Sequence, residues 1–253
     1  VVRLTARAAD GRPAAGGVAV LVRATPLPPT LLRHPALRAH AVTLTPDDGG
    51  AASETALTLP PSLAHAAPRR VATFLAGRHC ARQALRACGA GETAVGRADD
   101  GAPVWPAGFV GSITHTDDRA LAAAARRADV AALGIDCERL LSADAAAEIR
   151  PQLLAPDEAA HLRGADALPT PVLLTVLFSA KESVYKCLRP TVGAFFDFHD
   201  VHATAVAPRG DGTGGVALRV ARDLGGVRDG TLLRAEFAVA DDHVHTAVML
   251  PSG

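Results

Sequence analysis

The sequence predicts an α+β protein built as two similar lobes, each a small sheet packed with helices. Three observations carry that prediction. Each half of the chain runs from strand into helices and back into strands. The apolar fraction is 49% with only 4% aromatics, so the core has to be built from Ala, Val, Leu and Ile. At 253 residues the chain is long enough for one large domain or two small ones. The junction falls near Arg127, giving an N-terminal lobe of residues 1–127 and a C-terminal lobe of residues 128–253.

Taken in order, Gly17 to Arg23 (GVAVLVR) reads as a buried strand that TPLPP breaks. The Pro-, Gly- and Ala-rich segment up to about Pro61 has no clear period. From Ser62 the pattern turns helical as far as Gly89, a C-terminal cap, with Pro68 expected to split the stretch in two. After the loop VGRADDGAPVWPAG come three strands, Phe109 to Thr114, Ala120 to Arg126 and Val130 to Glu138. Residues from about Ser142 to Arg189 read as helices punctuated by Pro151, Pro156 and the PTP at Pro169 to Pro171. Four strands follow, Val201 to Ala207, Val216 to Ala221, Leu232 to Ala240 and Val244 to Leu250, the last two joined by an Asp-Asp hairpin turn.

Charge and length exclude several classes. The 26 basic and 26 acidic residues cancel, which argues against a nucleic-acid or membrane-surface partner. No apolar run approaches a membrane span. The N-terminal VVRLTARAADGRPAAGG lacks an apolar core followed by a cleavage site, so no secretory leader is expected. The four cysteines form no CxxC pair, and the reading is a monomeric cytoplasmic protein without disulfides or zinc. The histidine pairs His199/His202 and His243/His245 offer no better zinc set.

The chemistry-bearing residues gather in four motifs. In VAALGIDCE, strand alternation puts Asp136 and Glu138 on one face, with Ile135 and Cys137 turned to the apolar side. Asp136 is expected at the strand's end, outside the core. In FSAKESVYK, Glu182 and Lys186 stand one helical turn apart with Lys181 beside them. Taken alone that is a surface ion pair; together with the strand it offers three hard oxygen ligands, Asp136, Glu138 and Glu182, which suit Mg²⁺, with Mn²⁺ as a substitute. Arg70, Arg78 and Arg82 recur at spacings of eight and four, so one helix face is either a solvated stripe or an anion site. GSITHT ends a strand with Ser112, Thr114 and His115, which can donate to phosphate oxygens.

As a set, RRVATFLAGRHCAR, the PVWP loop, VGSITHT, LGIDCE and FSAKESVYK resemble the 4′-phosphopantetheinyl transferases. The resemblance is to the larger single-chain class of two pseudosymmetric lobes, each with a mainly antiparallel sheet, and is closest to its siderophore-synthesis-associated branch. It covers about Pro68 to Asp200. Its most specific part is GIDxE followed about forty residues later by a KExxYK helix. The resemblance implies transfer of the phosphopantetheine arm of coenzyme A to a serine of an apo acyl, peptidyl or aryl carrier protein, releasing adenosine 3′,5′-bisphosphate. Such carriers serve siderophore, polyketide and nonribosomal peptide synthesis.

It further implies an active site at the lobe interface. There Asp136, Glu138 and Glu182 would hold Mg²⁺, Glu182 would take the serine proton directly or through a water, and Lys186 would stabilise phosphoryl or leaving-group charge. Lys181 fills a further position of the motif, assigned with Lys186 to coenzyme A. Arg70, Arg78 and His115 fall where the family grips the 3′-phosphate and adenine end, and Thr114, beside His115 in GSITHT, is assigned to coenzyme A with them. The family's basic residue before G-x-P-x-W-P is replaced by Asp100, and Arg97 three residues earlier is the cation left to that loop. A Mg²⁺-dependent phosphoester or pyrophosphate hydrolase needs the same carboxylates, and a non-catalytic carrier-binding module is the other alternative.

Overall fold

The structure is a computed structural model and describes residues 1–14, 18–32, 34–47 and 49–252. Its contacts divide the chain into two units: residues 1–27 with 36–126, and residues 28–35 with 127–253. Residues 28–35, placed by the sequence reading in the N-terminal lobe, pack instead with the C-terminal unit. Their short helix α1 (Pro29–Leu32) touches two strands of that unit's sheet. Thr30 and Leu31 are buried there.

The first unit is a six-stranded sheet. Its early strands are β1 (Val2–Arg7), β2 (Ala19–Ala24), β3 (Arg38–Thr45) and β4 (Ser53–Thr58). Of the strand expected from Gly17, Gly17 itself lies outside the described residues. Helix α2 (Pro68–Ala87) and the two-residue strands β5 (Gly96–Arg97) and β6 (Pro103–Val104) precede β7 (Phe109–His115) and β8 (Arg119–Arg126). The sheet order is β4-β1-β2-β3-β8-β7, antiparallel throughout except for β1 beside β4.

The helical stretch does part at Pro68: a 3-10 helix (Pro61–Leu63) precedes it and α2 opens on it, because a proline at the first helical position gives up only an N–H that has no partner there. Gly89, at φ +75°, closes the helix in the left-handed conformation. Val71, Leu75, Cys80 and Ala84 recur at helical spacing and are buried against the sheet. The alanines of β8, RALAAAAR, let α2 come close. At Gly77 a Cβ would stand 2.8 Å from the Ile113 side chain.

The second unit carries β9 (Val130–Arg139), then α3 (Ala143–Leu153), α4 (Pro156–His161) and the long α5 (Thr170–Val192). Strands β10 (Val201–Pro208), β11 (Thr213–Val220), β12 (Leu232–Ala240) and β13 (His243–Pro251) complete it. The order is β10-β11-β12-β13-β9, wholly antiparallel. Asp241 and Asp242, at φ 48° and 61°, form the two-residue turn between β12 and β13.

The two units share a plan. In the first, β3 leads through α2 to the hairpin β7–β8, whose second strand returns antiparallel beside β3. In the second, β9 leads through α5 to β10–β13, and β13 returns antiparallel beside β9. Among the described residues no helix is long and apolar enough to cross a membrane.

Helix α5 lies on β9 and β13 at very short range. A Cβ at Gly134 would run into the Ser183 carbonyl and stand 2.7 Å from the Cys187 nitrogen. Gly134 thus fixes the face of β9 that α5 covers, and alternation puts Asp136 and Glu138 on that same face. Gly134→Ala should therefore cost roughly 1–3 kcal/mol in urea unfolding, since helix and strand must part to admit one methyl. A variant as stable as its parent would show that this close approach is dispensable.

Candidate active site

The acidic site is assembled inside the second unit. Asp136 is buried, 3% exposed, under α5. The expectation of a strand-end side chain outside the core fails, because β9 runs on to Arg139 beneath the helix. A carboxylate so placed needs partners. Lys186 supplies its ammonium to Oδ1 at 2.5 Å, and Ser179 donates its hydroxyl to Oδ2 at 2.8 Å. Helical spacing explains the pairing, since Ser179, Glu182, Ser183 and Lys186 lie on one stripe of α5.

Glu138 and Glu182 feel the crowding. Burial, and then the charges of Asp136 and Glu182, push the Glu138 carboxyl up to about 7 against the pull of Lys186. Burial also raises Glu182, with Lys186 opposing and Asp136 adding to the rise. Burial alone would lower Lys186, but the negative charge and hydrogen bond of Asp136, with Glu182 and Glu138, carry it above its ordinary value. Asp136, Glu138 and Glu182 thus act on one another's charge, and Lys186 acts on all three. Among the described residues, no group of three or more His, Cys, Asp or Glu side chains is spaced to hold a metal ion as it stands. By their chemistry, though not by that spacing, the three oxygen donors suit a hard divalent cation: a second positive charge there would relieve the repulsion that raises Glu138.

Lys181 does not belong to this set. Next to Glu182 in sequence, it points to another side of α5 and is 2% exposed. Its Nζ donates to Glu158 at 2.8 Å, to the Leu153 carbonyl at 2.8 Å and to the Phe198 carbonyl at 2.9 Å. An ammonium has three protons, and all three are used, so none remains for coenzyme A. Glu158 in turn accepts from the backbone N–H groups of Ala155 and Ala203.

A cavity of about 580 Å³ opens beside Glu182, walled by Tyr185, Phe195, Phe196 and Phe198. The sequence reading passed over this feature. Its signal was present: three of the chain's seven phenylalanines fall within Phe195–Phe198.

In the first unit the basic residues fall into two groups. Arg70 Nη1 lies 3.2 Å from His115 Nε2. About two helical turns on, the Arg78 guanidinium sits 4.8 Å over the Phe74 ring and donates to the Gly96 carbonyl at 2.9 Å. Its buried Nε has no hydrogen-bond partner among the described residues. Burial, and then the neighbouring Arg97, pull Arg78 down to about 10. Two guanidiniums that repel in a half-buried place suit an anion. Arg97 packs on Gly101, where a Cβ would meet Nη2 at 2.8 Å, so this cation does return to the PVWP loop. Asp100 there accepts from the Ala102 N–H and shapes the turn.

Thr114 does not join this group. Gly111 and Ile113 face α2, through Trp105 and Gly77 respectively, which puts His115 on the same face as Arg70. Ser112 and Thr114, buried, alternate to the opposite face of β7.

The family model described as the 4′-phosphopantetheinyl transferase N-terminal domain matches residues 59–125, and that of the 4′-phosphopantetheinyl transferase superfamily matches residues 132–222. The chain is similar to enterobactin synthase component D of Salmonella typhimurium, 42% identical over 130 residues, which are 51% of this chain and 53% of the relative. It is similar to the 4′-phosphopantetheinyl transferase Npt of Nocardia iowensis, 35% identical over 56% of this chain and 62% of that protein. With the 4′-phosphopantetheinyl transferase PptT of Mycobacterium tuberculosis it is 32% identical over 197 residues, 75% of this chain and 83% of that protein. The chain spans about half the length of the Salmonella relative that it matches.

Two outcomes follow from the geometry. Lys181→Met should destabilise the second unit by about 3–5 kcal/mol, because Glu158 is left buried without its counter-charge; urea unfolding checks this, and a loss below about 1 kcal/mol would mean the pair is not held as described. For Glu138 the fold favours the protonated form. Its stabilising contribution is present below about pH 4.5 and is lost as pH rises to about 7. The loss should be on the order of 2 kcal/mol after allowing for solvent screening of a half-buried group. Melting curves across that range should slope down for the parent and flatten for Glu138→Gln.

Proposed function

Because the chain belongs to the 4′-phosphopantetheinyl transferase superfamily, we propose that it moves the 4′-phosphopantetheine arm of coenzyme A onto a serine hydroxyl of an apo carrier protein. The observation that carries this reading is that Lys186 pairs with Asp136 while Asp136, Glu138 and Glu182 act on one another's charge. A pyrophosphate diester repels an incoming alkoxide, so cations must offset its charge while the hydroxyl is held in line.

Asp136, Glu138 and Glu182 would hold Mg²⁺, which supplies charge neutralisation at the pyrophosphate when bound. Glu182 takes the serine proton through a water or directly; its own basicity would fall with Mg²⁺ bound, which favours the water-relayed route. Lys186, beside Asp136, donates to the oxygens that gain charge as the phosphorus–oxygen bond to adenosine 3′,5′-bisphosphate breaks. Arg70, His115, Arg78 and Arg97 bind the 3′-phosphate and adenine end, supported by the contact of Arg70 with His115 and by the repulsion between Arg78 and Arg97. Lys181 and Thr114 have no part in this reading.

The test is intact-mass spectrometry of an apo acyl or peptidyl carrier incubated with the protein, coenzyme A and Mg²⁺. A gain of one phosphopantetheine arm is expected. Free phosphate or nucleotide with an unmodified carrier would point to a hydrolase, and an unmodified carrier retained in a complex to a binding module. In the same assay Glu182→Gln should lower the rate by roughly 10²- to 10⁴-fold at saturating metal. Recovery to near the parent rate would limit Glu182 to a binding role.

A further inference from the structure

Behind Asp136 three hydroxyls stand in line on α5 and β13. Ser179 and Ser183 are 0% exposed and Thr246 is 1% exposed. Ser179 Oγ lies 2.8 Å from Asp136 Oδ2 and 2.9 Å from Thr246 Oγ1, and Thr246 Oγ1 lies 2.7 Å from Ser183 Oγ. The positions of the protons follow from the end of the line. A carboxylate only accepts, so the single Ser179 proton goes to Asp136. Ser179 Oγ can then only accept from Thr246. The Thr246 proton points back at Ser179, whose backbone carbonyl at 2.8 Å shares it. Thr246 Oγ1 is left to accept, and Ser183 is its donor at 2.7 Å, with the Thr246 carbonyl a longer acceptor for the same proton at 3.3 Å.

We propose that Ser183, Thr246 and Ser179 form a one-way hydroxyl chain that fixes the direction of the Asp136 carboxylate, and that all three are positioning residues for the transfer reaction. The proposal rests on the reading of Asp136 as a cation-holding group. With Oδ1 turned to Lys186 and Oδ2 to Ser179, the plane of the carboxylate is set by the two contacts together. Each hydroxyl in such a series polarises the next, so the last bond is stronger than an isolated one. The neighbouring inward positions of α5, Leu177, Ala180, Val184 and Leu188, are apolar. Hydroxyls at 179 and 183, one turn apart and facing a threonine, are therefore not what packing alone would select. Thr246 reaches them because the strand register pairs it with Asp136.

Thr246→Val tests the chain at its middle without touching Asp136: it keeps the shape and deletes the hydroxyl. Thr246→Ser keeps the hydroxyl. The readouts are Mn²⁺ affinity by titration calorimetry on the whole protein, the melting temperature, and kcat and KM for coenzyme A. Thr246→Val should bind Mn²⁺ about tenfold more weakly and lose kcat with KM unchanged, while Thr246→Ser stays within about twofold of the parent. A Thr246→Val protein that melts lower yet binds Mn²⁺ as the parent does would overturn the proposal, leaving the hydroxyls a role in packing only. Should Thr246→Val not fold, Ser183→Ala breaks the chain at its far end and is held to the same outcomes. A parent protein that binds no Mn²⁺ or Mg²⁺ would overturn the cation reading itself, and the chain's task with it.

Discussion

The burial of Asp136 beneath α5 is the constraint on which the second unit turns. A carboxylate there demands a cation and a donor, and the helix above is the element close enough to give both. Meeting that demand fixes the rotation of α5 through Lys186 and its height above the sheet through Gly134. Once those are set, Glu182 is delivered to the side of Glu138 without any further device. The same contacts that make the burial tolerable therefore build the reactive site.

Two lysines five residues apart show how helix geometry divides labour. Lys181 and Lys186 lie half a revolution or so apart on α5. One is withdrawn into a closed set of partners from α3, α4 and the turn before β10; the other stays partly open and keeps company with three carboxylates. Adjacent residues Lys181 and Glu182 likewise serve different neighbourhoods. A motif written on one line of sequence thus contains a structural half and a chemical half, interleaved.

Much of this was legible in the sequence where short-range periodicity governs. The strands from Phe109 to Glu138 and the four C-terminal strands were placed to within a few residues, because alternation and turn residues are local signals. The shared face of Asp136 and Glu138 followed from the same rule. Strands β1, β3 and β4 escaped notice, as SETALT and RAHAVTLT are largely polar or half-exposed and gain their place from pairing with distant segments. Lys181 could not be assigned from its motif, since Glu158 is 23 residues away and its approach depends on how α4 folds back. Thr114 was grouped with His115 by adjacency, although alternation along β7 already separates them. The hydroxyl line needed Thr246, which lies far along the chain and becomes a neighbour only through sheet register.

That register hangs on a turn of two residues. Asp241 and Asp242 both hold left-handed backbone, which sets Ala240 opposite His243 and, further down the ladder, Thr246 opposite Asp136. Side chains of a strand alternate, so a one-residue slip of β13 would bring an imidazole, His245, to the place of the hydroxyl and carry the apolar contacts of β13 to the wrong side. The connection around Gly210 has no comparable duty, whereas the one between β11 and β12 anchors Leu224 in the core. Drift in loop length among natural variants should accordingly be more frequent around Gly210 than at the aspartate turn, the shortest strand-to-strand turn of the unit.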